Sequence, residues 1–183
     1  MLLDKDIEKV LFSQEEIDTK IKEIAEQINK EYQGKEVILV GILKGSFAFM
    51  SKLIEYIDLY CSIDFIVCSS YVGTKSTGLI HIDSDMKVNA EGKDVILIED
   101  IVDTGLTVSA IKDVVTKRGA SSVKIASLLH KPCNNKYHVV PDWYAFEIGN
   151  EFVVGFGLDY NQLYRNLPYI GVLKPDIYTK QNN

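Results

Sequence analysis

The chain has 183 residues, 46% of them apolar, and a formal net charge of −6 at pH 7. That length suits a single domain, or a domain with a small appendage, with enough interior to bury a core. The acidic balance argues against a sequence-independent nucleic-acid binder, which needs a phosphate-neutralising face, but leaves room for a small anionic ligand held by a local site or by Mg²⁺.

At the N-terminus, Met1-Leu2-Leu3-Asp4-Lys5-Asp6 has no basic region followed by a long apolar stretch, so no signal peptide is expected. No uncharged apolar run reaches the ~18 residues of a membrane-spanning helix. Ser13 to Lys30 is the first strong helix: Ser13 is a good N-cap, Glu16 completes a capping box, and Ile17, Ile21, Ile24 and Ile28 make one apolar stripe. After Gly34, Val37-Ile38-Leu39-Val40 has the pattern of a strand buried on both faces. Gly41 to Ser46 then turns the chain into a second helix with Phe47, Met50, Leu53, Ile54 and Ile57 on its apolar side.

Ile63 to Cys68 reads as the next strand, followed by the Gly/Ser/Thr-rich stretch Gly73 to Leu79 and a returning strand over Leu79 to Val88. Val95 to Ile98 is another buried strand. The helix after it carries Val108, Ile111, Val114 and Val115 inward and ends at Gly119. Val123 to Leu129 is a further strand, and Trp143 to Ile148 and Phe152 to Phe156 form two more, joined by a Gly149-Asn150 turn. Strand–helix alternation of this kind predicts an α/β fold with a doubly wound, mostly parallel sheet, whose ligands bind beyond the carboxyl ends of the strands.

Cys61, Cys68 and Cys133 lack CxxC spacing, and His81, His130 and His138 lack HExxH spacing. The cysteines read as reduced thiols of a cytoplasmic protein. Chemistry concentrates instead in "VILIEDIVDTGLT", Val95 to Thr107. Thr104-Gly105-Leu106-Thr107 lies between a strand and a helix N-terminus, where unpaired amides and the helix dipole favour an anion. The same turn also reads as a plain cap with Thr104 or Thr107 as N-cap. Glu99 and Asp100 would face opposite sides of a regular strand, and reach one ligand only where the strand gives way to loop. There they suit sugar hydroxyls or Mg²⁺, and Asp103 suits acid/base work.

This motif resembles the 5-phosphoribosyl-1-pyrophosphate (PRPP) signature of the type I phosphoribosyltransferases, and the chain from about Asp4 to Tyr178 is similar to the hypoxanthine-guanine branch of that family. The resemblance implies a salvage enzyme that transfers the phosphoribosyl group of PRPP to N9 of a 6-oxopurine, with Mg²⁺ present. It implies that Asp103, Thr104, Gly105, Leu106 and Thr107 hold the 5′-phosphate and that Glu99 and Asp100 contact the ribose hydroxyls. Asp103 would also handle the proton at the purine N7. "GILKGS" matches the pyrophosphate loop, with Leu43, Lys44 and Gly45 offering amides and, often in the family, a non-proline cis peptide between the first two; Arg165 would reach the same group. Lys131 would donate to the purine 6-oxo group, Phe152 would stack on the base, and Val153 and Asp159 would offer carbonyls to its 2-position edge. Metal contacts would come from Glu99, Asp100 and Asp159, and a lid from Ser70 and Tyr71.

A single domain over residues 1–183 is expected, with a core over about 35–145 and a hood from about 1–12 and 146–183 that includes Trp143 as packing. The implied partners are PRPP and a 6-oxopurine, without nucleic acid or membrane, in a homodimer or homotetramer. Two other readings are a xanthine-preferring or pyrimidine-specific enzyme of the same fold and a PRPP- or nucleotide-sensing regulator. Net charge and the presence of Asp103 count against the regulator.

Overall fold

The computed structural model describes residues 2–70 and 80–179. A short 3₁₀ turn leads into β1 (Ile7–Phe12) and α1 (Gln14–Glu31). The Ser13 hydroxyl accepts from the Glu16 amide at 3.3 Å while Glu16 accepts from the Ser13 amide at 2.8 Å, so the expected capping box forms. All four isoleucines of the stripe are buried.

Next come β2 (Glu36–Leu43), α2 (Phe47–Ile54), β3 (Tyr60–Ser70), β4 (Ile80–Ser84) and β5 (Asp94–Val102). The chain continues through α3 (Leu106–Lys117), β6 (Ser122–His130), β7 (Trp143–Glu147), β8 (Val153–Val154), β9 (Ile170–Leu173) and α4 (Pro175–Thr179). β4-β3-β2-β5-β6-β7 is the order of a six-stranded sheet, parallel throughout except that β4 runs antiparallel to β3. Alternate residues of the central strands feed two cores. Val37, Leu39, Ile96 and Ile98 pack under α1 and α2, while Ile38, Val40, Val95 and Leu97 pack under α3. Burial on both faces is why these strands read as unbroken apolar runs. Truncating one such side chain, Ile96→Ala for example, should cost about 2–5 kcal/mol.

Several boundaries differ from expectation. β2 does not turn at Gly41 but runs to Leu43, because its ladder with β3 continues to the Leu43–Val67 pair. The second helix stops at Ile54, before Ile57. The returning strand is only Ile80–Ser84; beyond it the chain leaves the sheet and buries Met86 and Ala90 in the α3-side core. β7 and β8 are not a hairpin. β7 extends the large sheet parallel to β6, whereas β8 joins a separate three-stranded sheet of order β1-β9-β8. Trp143 starts β7 of the large sheet and packs in the α1-side core, 6.4 Å from the Tyr32 ring and with Lys124 over its face at 5.1 Å, in one cluster with Val153, Leu158, Ile170 and Val172. The lid assigned to Ser70 and Tyr71 cannot be followed, since Ser70 closes β3 and Tyr71 lies outside the described residues.

Candidate active site

The site is built where β5 loses one neighbour. β5 pairs with β2 only as far as Ile98, but with β6 as far as Val102. Glu99 and Asp100 were expected where the strand gives way to loop. They sit instead within β5, because β6 carries the ladder past them. Both nevertheless line one cavity of ≈ 220 Å³, together with Asp103, Thr104, Gly105 and Thr107. Across from them the chain passes from β2 into α2 through a cis peptide between Leu43 and Lys44. A Cβ added at Gly45 would lie 1.5 Å from the Asp100 Oδ2, so only glycine leaves the carboxylate in place.

The carboxylates are short of partners. Glu99 is 8% exposed, its Oε2 has no hydrogen bond among the described residues, and burial holds its pKa well above the usual carboxylate range. Burial pushes Asp100 up to about 6, against the pull of the Ile101 amide at 2.8 Å and of the Arg165 charge. Asp103 likewise has a buried, unpartnered Oδ1. Cys68 is pushed up to about 11 by burial and then by the Glu99 charge, so that thiol stays protonated. Buried polar atoms are nearly always paired, and three orphaned or desolvated acids on one cavity mark a place prepared for a ligand.

Beside the acids lies the start of α3. Neither Thr104 nor Thr107 is its N-cap. Gly105 takes that position with φ 83°, and no side chain of the cap residue satisfies the first-turn amides. Thr104 Oγ1 accepts only a long 3.3 Å bond from the Leu106 amide. The helix thus presents an open N-terminus, positive in its dipole, to the same cavity.

The remaining predicted residues converge from the chain's last third. Lys131 is 9% exposed; its amide donates to the Val102 carbonyl at 2.9 Å and its Nζ to the Glu151 carbonyl at 3.3 Å. That second bond ties it to the residue preceding Phe152, which is 40% exposed, while Val153 is buried. Arg165 Nη2 lies 2.7 Å from Asp159 Oδ1, and its Nη1 donates to the Gly157 carbonyl at 2.6 Å. Two residues were not anticipated. Gln162 accepts from Lys44 at 3.2 Å and from Arg165 at 3.4 Å, linking the loop after β2 to the arginine, and Glu151 supplies the carbonyl that holds Lys131. No local pattern could signal the contact of Gln162 with Lys44, which lies 118 positions away.

For a cation the donors are Glu99, Asp100 and Asp159, with Asp159 engaged by Arg165 and the Gln162 amide. Among the described residues no cluster of three or more acidic, His or Cys side chains forms a cage. Glu99 and Asp100 on one cavity match the needs of Mg²⁺, which usually takes one or two carboxylates and draws its other ligands from water and substrate phosphates. The orphaned Glu99 Oε2 is the observation that admits it.

Comparison with known proteins points the same way as this geometry. A family model described as "Phosphoribosyl transferase domain" matches residues 11–161. A hypoxanthine-guanine phosphoribosyltransferase of Streptococcus thermophilus is 52% identical over 180 residues, 98% of this chain and 100% of that protein. One from Lactococcus lactis is 50% identical over 179 residues, 97% of each. The crystal structure of a hypoxanthine phosphoribosyltransferase from Staphylococcus aureus superposes with a TM-score of 0.94 at 47% identity, covering 98% of both chains.

Proposed function

The chain belongs to the phosphoribosyl transferase family, and from that premise we infer that it is a purine-salvage enzyme, moving the 5-phosphoribosyl group of PRPP to N9 of hypoxanthine or guanine to give IMP or GMP and pyrophosphate. The observation that carries the reading is the pairing of unsatisfied acids with an open helix N-terminus on one cavity. A phosphorylated sugar needs both.

In this reading the amides of Thr104 to Thr107 and the α3 dipole hold the 5′-phosphate. Glu99 and Asp100 accept from the ribose hydroxyls. As the C1–O bond to pyrophosphate breaks and N9 forms the new bond to C1, the sugar gains oxocarbenium character, which nearby carboxylates stabilise. Asp103 takes the proton that the purine loses at N7. The amides of Leu43, Lys44 and Gly45, with Arg165, hold the departing pyrophosphate. Mg²⁺, held by Glu99 and Asp100 with Asp159 close by, would neutralise part of the polyphosphate charge.

Lys131 fixes the choice of base. An ammonium has three donors and no acceptor, so it satisfies a 6-oxo oxygen and leaves a 6-amino group unmatched. Its Nζ donates to the carbonyl of Glu151, the neighbour of Phe152, which would stack on the base. Val153 and Asp159 would offer backbone carbonyls to the 2-position edge.

The protein is taken to act in the cytoplasm; no helix among the described residues is long and apolar enough to cross a membrane. Self-association, as a dimer or tetramer, is supported by apolar exposure. Ile63 and Phe65 are two residues apart on β3, 43% and 40% exposed, and Phe47 at the start of α2 is 46% exposed. Light scattering on the purified protein tests it, and a monomer would remove the proposal.

The function is tested by supplying PRPP and Mg²⁺ with hypoxanthine, guanine, xanthine or adenine and following nucleotide formation by absorbance. Conversion of hypoxanthine and guanine with adenine inert is expected. Binding of PRPP without conversion of any base would overturn the catalytic reading and leave the sensor.

A further inference from the structure

The end of the chain brings an aromatic ring to the base-stacking residue. In α4, Tyr178 stacks on Phe152 with ring centroids 5.0 Å apart and planes inclined by 28°. Tyr160 meets Phe152 at 5.7 Å and 88°, and Tyr178 at 6.4 Å and 68°. These separations close a nearly equilateral triangle, so Tyr160 lies beside Phe152 and not across the ring from Tyr178. Among the described residues only one face of Phe152 is therefore covered by an aromatic partner, and the residue as a whole is 40% exposed.

The supporting shell is built from both ends of the chain. Tyr160 and Tyr178 pack against a small cluster of Ile7, Val154, Tyr164, Leu167 and Leu173, drawn from β1, β8, β9 and the loop before β9. The Leu173 amide donates to the Phe152 carbonyl at 2.9 Å, and the Lys174 amide to the Asp6 carbonyl at the same distance. α4 follows directly, so the backbone of Phe152 and the ring that backs it are fixed by one strand end.

We propose that Tyr178 is a positioning residue of the purine site: it backs one face of Phe152, holds the ring in a single orientation, and leaves the opposite face for the 6-oxopurine. The inference rests on the reading that the base stacks on Phe152. A ring that must stop rotating before it stacks weakens binding by the cost of ordering it, and a side chain already stacked on its far face has met that cost. Offset aromatic stacking is also strong enough to matter beyond area burial. In this reading neither Tyr178 nor Phe152 is assigned to the sugar or the phosphates, so the effect belongs to the base alone.

The test is steady-state kinetics on the full chain with four substitutions: Tyr178→Ala, Tyr178→Leu, Tyr178→Phe and Phe152→Ala. Tyr178→Leu keeps apolar contact with the hood cluster without a ring, and guards against the alanine variant failing to fold; a thermal melt of each variant is run alongside. Tyr178→Leu and Tyr178→Ala should raise the KM for hypoxanthine about three- to tenfold, the range of one aromatic pair, with kcat and the KM for PRPP within twofold. Tyr178→Phe should restore the wild-type KM. In a Phe152→Ala background the Tyr178 substitutions should add nothing. A fall in the hypoxanthine KM would mean that Tyr178 occupies the place of the base, and equal rises in both KM values would mean a merely structural role; either overturns the proposal, as does no change. If Phe152→Ala alone leaves the hypoxanthine KM unmoved, the stacking site itself is misread, a failure distinct from that of Tyr178.

Discussion

Two carboxylate settings on the same sheet behave in opposite ways. Asp64, in β3, is half-buried, and burial alone would raise its pKa. Instead three backbone amides outweigh that and lower it: Phe65 at 2.8 Å, Lys87 at 2.6 Å and Val88 at 2.7 Å. Glu99 and Asp100, in β5, are raised by burial, and the Glu99 Oε2 has no partner among the described residues. Asp64 spends its oxygens on pinning the segment after β4 to the sheet. The Glu99 Oε2 is kept for something outside the chain. Burial thus does not by itself mark a site; burial without satisfaction does.

The contrast can be broken by substitution. Asp103→Asn should lower kcat by at least ~100-fold, the scale of general acid/base catalysis, with the KM for PRPP within threefold. Asp64→Asn should leave both constants alone, and an equal loss of turnover there would end the distinction. Next in size, Glu99→Gln with Asp100→Asn should raise the KM for PRPP roughly 10- to 100-fold, the worth of hydrogen bonds to charged acceptors. Lys131→Ala should lower kcat/KM for hypoxanthine by about tenfold while adenine stays poor, shrinking the ratio between the two bases.

The remaining effects are on stability, and they carry opposite signs. Asp100 has its folded pKa raised from 3.8 to about 6, so ionising it opposes folding. Ligand-free Asp100→Asn should therefore be more stable than wild type by up to about 3 kcal/mol at pH 8, and the gap should close as pH falls through about 6 toward 3.8. Asp64 has its folded pKa lowered, so its contribution is present above the unfolded value of 3.8 and is lost as pH falls through the folded one. Asp64→Asn should accordingly be destabilised by ~1–2 kcal/mol at pH 8 and match wild type in acid. Urea titrations at several pH values measure both, and a common sign would contradict the contrast.

What the sequence made legible follows how local the determinants are. The α1 capping box, the central apolar runs and Gly119 closing α3 are settled within a few residues of chain, and the structure has them. The acids of Val95 to Thr107 could be picked out because their chemistry lies in one short stretch. Non-local pairing was harder to read. β1 finds β9 about 160 positions away, and neither was read as a strand. β8 was assigned to β7 across a tight turn because a glycine-bearing turn suggests a hairpin, and nothing nearby announces that its partner is β9. β5 runs past Glu99 because β6 supports it, a fact that belongs to β6. The same limit hid Gln162 and Tyr178, whose importance lies in what they meet.

The most direct test of the central claim is calorimetric titration of PRPP with Mg²⁺ into three proteins: wild type, Glu99→Gln with Asp100→Asn, and Asp64→Asn. Equal affinity is expected for wild type and Asp64→Asn, with at least tenfold weaker binding in the β5 double variant. Undiminished binding in the double variant, or an equal loss in Asp64→Asn, would contradict it.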